Sequence, residues 1–484
     1  MSGIGAAPRV VVAGGGFAGL ATALSLGRAG LSVTLLESAP APPLGPAPEV
    51  APRWRRGTVP QAEHPHMLTS AGVRVLDRRA PELLADAIEA GAEYIDVAAA
   101  LPPLLEPRHQ PGDEELVALA CRRTVLELLL RRRIEAMDGV RVLDSCRVVG
   151  IVVDPGRDRV LGVRTDRGTR EPADIVIDAT GRRAEARRWL ASESCALRDQ
   201  DEFADSGCRG VGRFYRLLRP GYPTALHRGN AAGAIGETFA AVVHPADNDT
   251  FSVTLATLPD DDLMHELAGD EGFGRAVASI PLIAPWVDPR SATPITSARE
   301  FKCPPNTLRA AAVSRQLPVA GLYPVGDAAC LTNPLYGRGM SLALQHAFAL
   351  ADVLVSHPAV DRRQADRAAA CARELFVPWF RQSAADDAGR IRLWRQGLKG
   401  SIPPPAQQLP PAGPDLAGIG AAAAVDSLVW RHLTRVLMGL QTPADAFADA
   451  RFEARLRAVT APRQASLLPA RETITRVLAG ARLG

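Results

Sequence analysis

The chain has 484 residues, 47% of them hydrophobic and 23% charged, which suffices for two or three domains or one large composite domain of globular type. Its formal net charge is only +3, Lys occurs only at Lys302 and Lys399, and no dense basic run is present, which argues against nucleic-acid binding. Seven scattered cysteines without a CxxC pair argue against a disulfide framework or a zinc site and fit a reducing cytoplasm.

The first elements in chain order are a strand, a turn, a helix and a second strand. Val10 to Val12 is a short apolar run, and Gly14-x-Gly16-x-x-Gly19 follows it directly. Arg9 with the uncharged stretch behind it imitates a secretory leader, but the four glycines break the stretch and no small-residue cleavage site ends it. Ala18 to Ala29 reads as a helix of small residues closed by Gly30, and Ser32 to Leu36 as a strand ending at Glu37. The glycines differ in what they permit. Gly14 makes the turn, Gly16 lets backbone approach a pyrophosphate, and Gly19 lets helix and strand pack closely. Glu37 stands where an acid accepts hydrogen bonds from ribose hydroxyls. The pattern predicts a dinucleotide cradle without choosing between NAD and FAD.

A Pro-rich loop, Pro40 to Pro52, leads into RWRRGTVPQAEHPHML. His64 and His66 share an HxH spacing, but no third ligand accompanies them, so no metal is expected. The run from Cys121 to Met137 reads as a helix with Leu126, Leu129, Leu130 and Ile134 on one face and Arg123 at its entry. Several strands follow, with turns at Asp154-Pro155-Gly156 and Arg167-Gly168, ending in Ala179-Thr180-Gly181.

Three further segments, RGVGRFYRLL, ETFAAVVHP and DTFSVTLATL, read as antiparallel strands, the last two joined by a hairpin at Ala246-Asp247-Asn248. Alternation at Phe251, Val253 and Leu255 predicts a half-buried sheet with one face over a pocket. Then come Gly326-Asp327 and Pro334-x-x-Gly337-x-Gly339, followed by an apolar helix. From about Ser356 the pattern is helical, interrupted by SIPPPAQQLPPAGP; the amphipathic stretch with Trp379 and Trp394 is expected to pack on its own domain. No further uncharged segment of membrane-spanning length is expected.

Taken as a set, GxGxxG with Glu37, the Arg-led helix, the strand ending in ATG, and Gly-Asp followed by P-x-x-G-x-G resemble the FAD-dependent, class A monooxygenases of the hydroxybenzoate-hydroxylase fold. RRGTVPQAEHPHML and NPLYGRGMS resemble the flavin epoxidases of polyether biosynthesis within it. The resemblance covers about residues 8 to 355. It implies an α/β Rossmann-like FAD domain in two parts (1–190, with a substrate-layer insertion around 60–118, and 301–355), a β-sheet substrate domain (191–300) and a helical C-terminal region (356–484). It implies FAD contacts from Gly14, Gly16, Phe17, Ala18, Gly19, Glu37, Ser38, Arg53 or Arg55, Arg123, Val148, Thr180, Gly181, Gly326, Asp327, Pro334, Gly337, Gly339 and Met340. Pro334 would lie beside the flavin's reactive edge, with Gln61, His64 or His66 near the ring and Arg213, Phe214 or Tyr215 lining the substrate pocket. The implied activity is insertion of one oxygen atom from O2 through a flavin C4a-hydroperoxide, by epoxidation or aromatic hydroxylation of an apolar, polyketide-like small molecule in secondary metabolism.

Where class A enzymes carry an Asp-Gly motif, this chain has Asp178-Ala-Thr-Gly, which puts direct reduction by NAD(P)H in question and raises a separate flavin reductase as the electron source. A flavin halogenase is disfavoured, because its W-x-W-x-I-P signature and early catalytic Lys are missing. A reductase of isoprenoid double bonds and a flavin-binding protein without oxygen chemistry remain open on the same scaffold.

Overall fold

The computed structural model describes residues 7–54, 56–57, 59, 66–267, 269–399, 416–459 and 467–480. Arg55, Gln61, His64 and the Pro-rich segment from Ser401 lie outside the described residues.

Apolar runs bounded by glycine set up the central layer. Arg9–Ala13, Ser32–Leu36, Val140–Leu143, Ile175–Asp178 and Leu322–Pro324 form one five-stranded sheet in which every pairing is parallel. The spatial order begins at the edge with Leu322–Pro324 and runs through Ile175–Asp178, Arg9–Ala13 and Ser32–Leu36 to Val140–Leu143. Such a sheet is covered on both faces, which explains why Val10, Val11 and Val12 are all buried rather than alternating. Helix Phe17–Arg28 lies between helix Arg123–Glu135 and helix Gly339–Ser356. Gly30, at φ +79°, ends the first helix as its sequence position predicts.

Helix Gly339–Ser356 is the one described helix long and apolar enough to cross a membrane, with mean hydropathy 1.3 over 18 residues. Leu342, Leu344, Ala347, Phe348, Leu350 and Leu354 account for that composition, because all are buried in the core of the molecule.

A second, antiparallel sheet of six strands holds Ala232–Ile235, Ala240–Pro245, Thr250–Thr257, Arg209–Leu217, Ala292–Pro294 and Arg299–Lys302. The hairpin at Ala246 to Asp249 forms with Asn248 and Asp249 both at φ +55°. The strand Thr250–Thr257 is buried on both faces, not half-buried. Phe251, Val253 and Leu255 point away from the parallel sheet, into an outer core closed by Phe273, Val277, Ile280 and Trp286. The alternation is legible in the sequence, but helices Asp270–Ala278 and Ala284–Val287, not a pocket, cover that face.

Helix Arg362–Leu398 runs 37 residues with Pro378 inside it. Trp379 and Trp394 are buried, so its amphipathic face is spent on the molecule's own core.

Candidate functional site: a flavin cradle

The GxGxxG turn is defined by contacts no side chain could share. Gly14 has φ +116°, and a Cβ there would lie 2.5 Å from the Ala179 carbonyl oxygen; one on Gly19 would lie 1.9 Å from the Gly14 carbonyl oxygen. Gly16 differs: its nearest neighbour to a notional Cβ is Arg123 Nη2, at 3.9 Å. Gly14, Gly16 and Ala18 are partly accessible while Gly15, Phe17 and Gly19 are buried, so one side of the turn stays open above the N-terminus of helix Phe17–Arg28.

Beneath the turn lies a charge network. Glu37, only 4% exposed, accepts hydrogen bonds from Gly15 N–H (2.8 Å), Ala39 N–H (2.7 Å) and Ser38 Oγ (3.1 Å). Glu127, from helix Arg123–Glu135, accepts from Phe17 N–H (2.9 Å), Arg123 Nε (2.8 Å) and Arg56 Nη1 (2.9 Å). Arg56 also donates through Nη2 to the Gly15 carbonyl (3.0 Å) and reaches Glu37 at 3.6 Å. Two buried carboxylates thus offset two arginines directly under the expected pyrophosphate position.

Arg53 turns outward, donating to the Glu49 carbonyl at 3.2 Å. Of the described arginines of the 53–56 run, the buried one is Arg56, which sequence reasoning passed over, as it did Glu127. The i, i+4 spacing of Arg123 and Glu127 within a helix of buried leucines was the available signal. Arg56→Ala is expected to destabilise the fold by ~3 kcal/mol, because it leaves Glu127 buried with one partner fewer. Arg53→Ala should change stability by less than ~0.5 kcal/mol. Urea unfolding of both variants decides this, and equal stabilities would remove the network from the account.

Val148, at the start of strand Val148–Val153, belongs to the main core, near Cys146, whose N–H bonds the Glu37 carbonyl at 2.8 Å. Asp178 is fully buried and accepts from Thr180 N–H (3.0 Å), Thr180 Oγ1 (2.6 Å) and Ala186 N–H (2.7 Å), while burial pushes its carboxyl above the usual range. Thr180 and Gly181 (φ +66°) are partly accessible beside it.

The far C-terminal motif returns to the same place. Gly326, at φ +59°, approaches the first helix so closely that a Cβ would meet Ala18 Cβ at 2.4 Å. Half-buried Asp327 is therefore set beside the GxGxxG helix. In the following loop Pro334, Gly337 and Gly339 are exposed, whereas Asn333, Arg338 and Met340 are buried. Gly337 has φ +64°, and added Cβ atoms at Gly337 or Gly339 would find nothing within 4 Å. No side chain caps helix Gly339–Ser356. Arg338 sits at its N-cap, stacked on the rings of Tyr336 (4.8 Å) and Trp379 (5.0 Å), with Nη1 lacking a partner and burial lowering its pKa. A buried cation and an uncapped helix N-terminus both favour negative charge on the open side.

This loop is fastened from behind by Asp387 of helix Arg362–Leu398. Its carboxylate, wholly buried, accepts from Asn333 Nδ2 (2.8 Å), Asn306 Nδ2 (2.7 Å), Tyr336 Oη (2.9 Å) and Arg390 Nη2 (2.9 Å). Asn333 Nδ2 and Arg390 Nη2 both also donate to the Ser206 carbonyl. On the other side Thr69 donates its N–H (3.1 Å) and hydroxyl (2.7 Å) to Ser341 Oγ. That pair holds the segment of His66, half-buried just before strand Met67–Leu68, against the first turn of the helix after Gly339.

The three residues expected to line a pocket do not share a face. Arg213 donates to the Thr296 carbonyl (2.7 Å) and pairs with Asp270, and Tyr215 stacks on Phe251 at 5.4 Å, both in the outer layer. Phe214 alone, between them on the strand, turns to the inner face. Among the described residues no cluster of His, Cys, Asp or Glu has the arrangement of a metal site.

The arrangement fits FAD: a backbone approach over Gly16 for the pyrophosphate, Asp327 beside it for the ribityl chain, and room over Gly337 and Gly339 for the ring's pyrimidine edge. No family model matches the sequence, and neither does any curated protein. Solved structures do. PqsL, a probable FAD-dependent monooxygenase from Pseudomonas aeruginosa, matches at 19% identity, over 80% of this chain and 98% of that one, with a TM-score of 0.57. The p-nitrophenol 4-monooxygenase PnpA from Pseudomonas putida matches at 18%, over 95% and 99%, with 0.55. A flavin-dependent brominase, Bmp2, matches at 14%, over 94% and 100%, with 0.56. At such identities the likeness is one of architecture, and it places the chain in the fold of the FAD-dependent monooxygenases of hydroxybenzoate-hydroxylase type.

Proposed function

We propose that the chain is an FAD-dependent monooxygenase that transfers one oxygen atom from O2 to an electron-rich carbon of a small molecule, by epoxidation of an alkene or hydroxylation of an aromatic ring. The observation that carries this reading is a convergence on one open surface. Gly16, Asp327 and the uncapped helix N-terminus at Gly339 meet there, from segments some 300 residues apart. FAD supplies the redox chemistry when bound. The chain's own part is to hold the pyrophosphate over Gly16 and the ribityl chain at Asp327. The helix N-terminus and Arg338 favour negative charge at the ring's edge, and the sheet above excludes water.

The brominase shares the fold, so the fold alone does not choose the reaction; the missing W-x-W-x-I-P signature favours oxygen transfer to carbon. We take the electron donor to be a separate flavin reductase. Asp178 supports this, since its carboxylate is consumed by Thr180 and Ala186 inside the core instead of facing an incoming nicotinamide.

Purified protein is expected to be yellow, to release FAD on denaturation, and to yield product carrying one 18O atom when supplied with a reductase and 18O2. Product without label, or oxidation of reduced flavin with no organic product across candidate substrates, overturns the reading. Reduction by NADPH or NADH as fast without the partner as with it overturns the reductase assignment.

A further inference from the structure

Two of the seven cysteines face each other across the six-stranded sheet. Strand Arg209–Leu217 pairs with strand Arg299–Lys302 so that Arg209 stands opposite Lys302. One step further along the same register Cys208 stands opposite Cys303, and Cys303 N–H donates to the Cys208 carbonyl at 3.2 Å. Ser206 Oγ closes the end of this ladder on the Cys303 carbonyl at 2.9 Å. Directly opposed residues of an antiparallel pair project to one face, with Cα atoms about 4.5–5.5 Å apart. A disulfide spans about 4.4–6.8 Å between Cα atoms, so this register allows a bridge without backbone movement. Both side chains belong to one packed cluster with Trp394, Ile391 and Leu335. Cys208 is 3% exposed, whereas Cys303 is half-buried and partly open to solvent.

The two sulfurs are unequal. The Cys303 thiol donates to the Cys208 sulfur, and this bond, with the Arg390 guanidinium, holds the Cys208 pKa below the usual thiol range against burial. The same contact, and burial, push the Cys303 thiol up. Burial pushes up the thiols of Cys121, Cys195, Cys330 and Cys371, as befits inert core cysteines. A thiolate-prone sulfur touching a protonated one is instead the disposition of a reactive dithiol.

The pair lies behind the loop of Pro334. Arg390 Nη1 donates to the Gly207 carbonyl (3.1 Å), and the Ser206 carbonyl accepts from Asn333 Nδ2 (3.3 Å). Three residues beyond Cys303 stands Asn306, whose amide is held by Asp387. Leu335, next to Pro334, packs on the cluster that contains both sulfurs.

We propose that Cys208 and Cys303 form a reversible disulfide on exposure to hydrogen peroxide, and that this bond slows oxygen transfer by displacing the Pro334 loop. The thiolate sulfur attacks one peroxide oxygen, giving a sulfenic acid and a hydroxide that takes up the proton the thiol released. The second sulfur then displaces the sulfenic hydroxyl, which leaves with the remaining thiol proton as water. Two thiols and one peroxide thus become one disulfide and two waters. Bonding draws the sulfurs to about 2.05 Å, removes the thiolate facing Arg390 and shifts the wall on which Leu335 rests. Reduced flavin makes peroxide from O2 when no substrate takes the oxygen, so the oxidant arises beside the site it closes. The disulfide stands apart from the monooxygenase reading; its effect on product formation rests on it.

Peptide mapping of the full-length, FAD-loaded protein tests this. Trypsin releases Cys208 within Asp199–Arg209 and Cys303 within Cys303–Arg309, and neither peptide holds another cysteine. After mild peroxide and alkylation of the remaining thiols, the two are expected as a linked pair, lighter than their sum by two hydrogens and separated by dithiothreitol. Product formation should fall several-fold with FAD retained and its visible band shifted, and dithiothreitol should restore both. Cys303→Ser should abolish the linked pair and the loss of rate, whereas Cys371→Ser should preserve both. The mapping of the unaltered protein needs no variant, so a substitution that misfolds leaves the test decisive. Absence of the linked pair, linkage of either cysteine elsewhere, a loss that dithiothreitol does not reverse, or an oxidised protein with unchanged rate and flavin band overturns the proposal. A linked pair with a shifted flavin band, but no 18O-labelled product from the reduced protein, leaves the disulfide standing and sinks the monooxygenase reading instead.

Discussion

Gly19→Ala is expected to give a protein that no longer retains FAD and that is less stable by ~3 kcal/mol, the range for an overpacked core position. The added methyl would stand 1.9 Å from the Gly14 carbonyl, and backbone cannot yield as a flexible side chain does. The first helix must move away from the turn, taking Ala18 with it, and Ala18 is the residue against which Gly326 closes. The same substitution at Gly339 separates binding from folding. Nothing lies within 4 Å of its Cβ, so Gly339→Ala should melt like the parent while losing flavin, because the methyl would enter the space proposed for the ring. Flavin content after gel filtration and a thermal melt measure both effects. Full FAD retention by Gly339→Ala would show that the ring lies elsewhere.

Asp387→Ala should be the more damaging change, although Asp387 lies far along the sequence from every glycine motif. Its loss strands Asn306, Asn333, Tyr336 and Arg390 in the interior with their shared acceptor gone. Removing one partner of a buried, hydrogen-bonded charge pair costs about 3–5 kcal/mol. The local consequence is larger than the global one, since Asn333 precedes Pro334 and Tyr336 precedes Gly337 in the loop proposed to face the ring. Product formation should fall at least ~100-fold in a variant that still binds FAD through the N-terminal turn. A melting curve and a single-turnover assay decide this; stability within ~0.5 kcal/mol of the parent would remove Asp387 from the loop's support.

Glycine positions are readable in the sequence because their requirements are local. A turn with φ +116° at Gly14 or +59° at Gly326 is written in one residue and its neighbours. The parallel strands are readable for a similar reason, as short apolar runs next to glycines. What stays hidden depends on which way a side chain turns. Arg53 and Arg56 are three residues apart, and only the position of Glu127, 71 residues beyond Arg56, distinguishes the buried one from the solvated one. Alternation in Arg213-Phe214-Tyr215 announces two faces, but helix Asp270–Ala278 decides which is outer. Asp387 sits in an amphipathic stretch whose packing is anticipated, yet nothing nearby signals that its carboxylate supports a loop some fifty residues earlier.

The order of the central sheet has a consequence for how the molecule is made. Ile175–Asp178 has Arg9–Ala13 on one side and Leu322–Pro324 on the other, and the latter leaves the ribosome more than 140 residues later. Throughout that interval a strand of three apolar residues and Asp178 stands at the open margin of a growing sheet, a ready template for another chain. The second set of contacts proposed for the cofactor, from Asp327 to Gly339, also does not exist until then. Maturation is therefore expected to stall as an incomplete, adhesive intermediate whenever synthesis pauses before Leu322, and flavin supplied during translation should do little to rescue it until that last edge is in place.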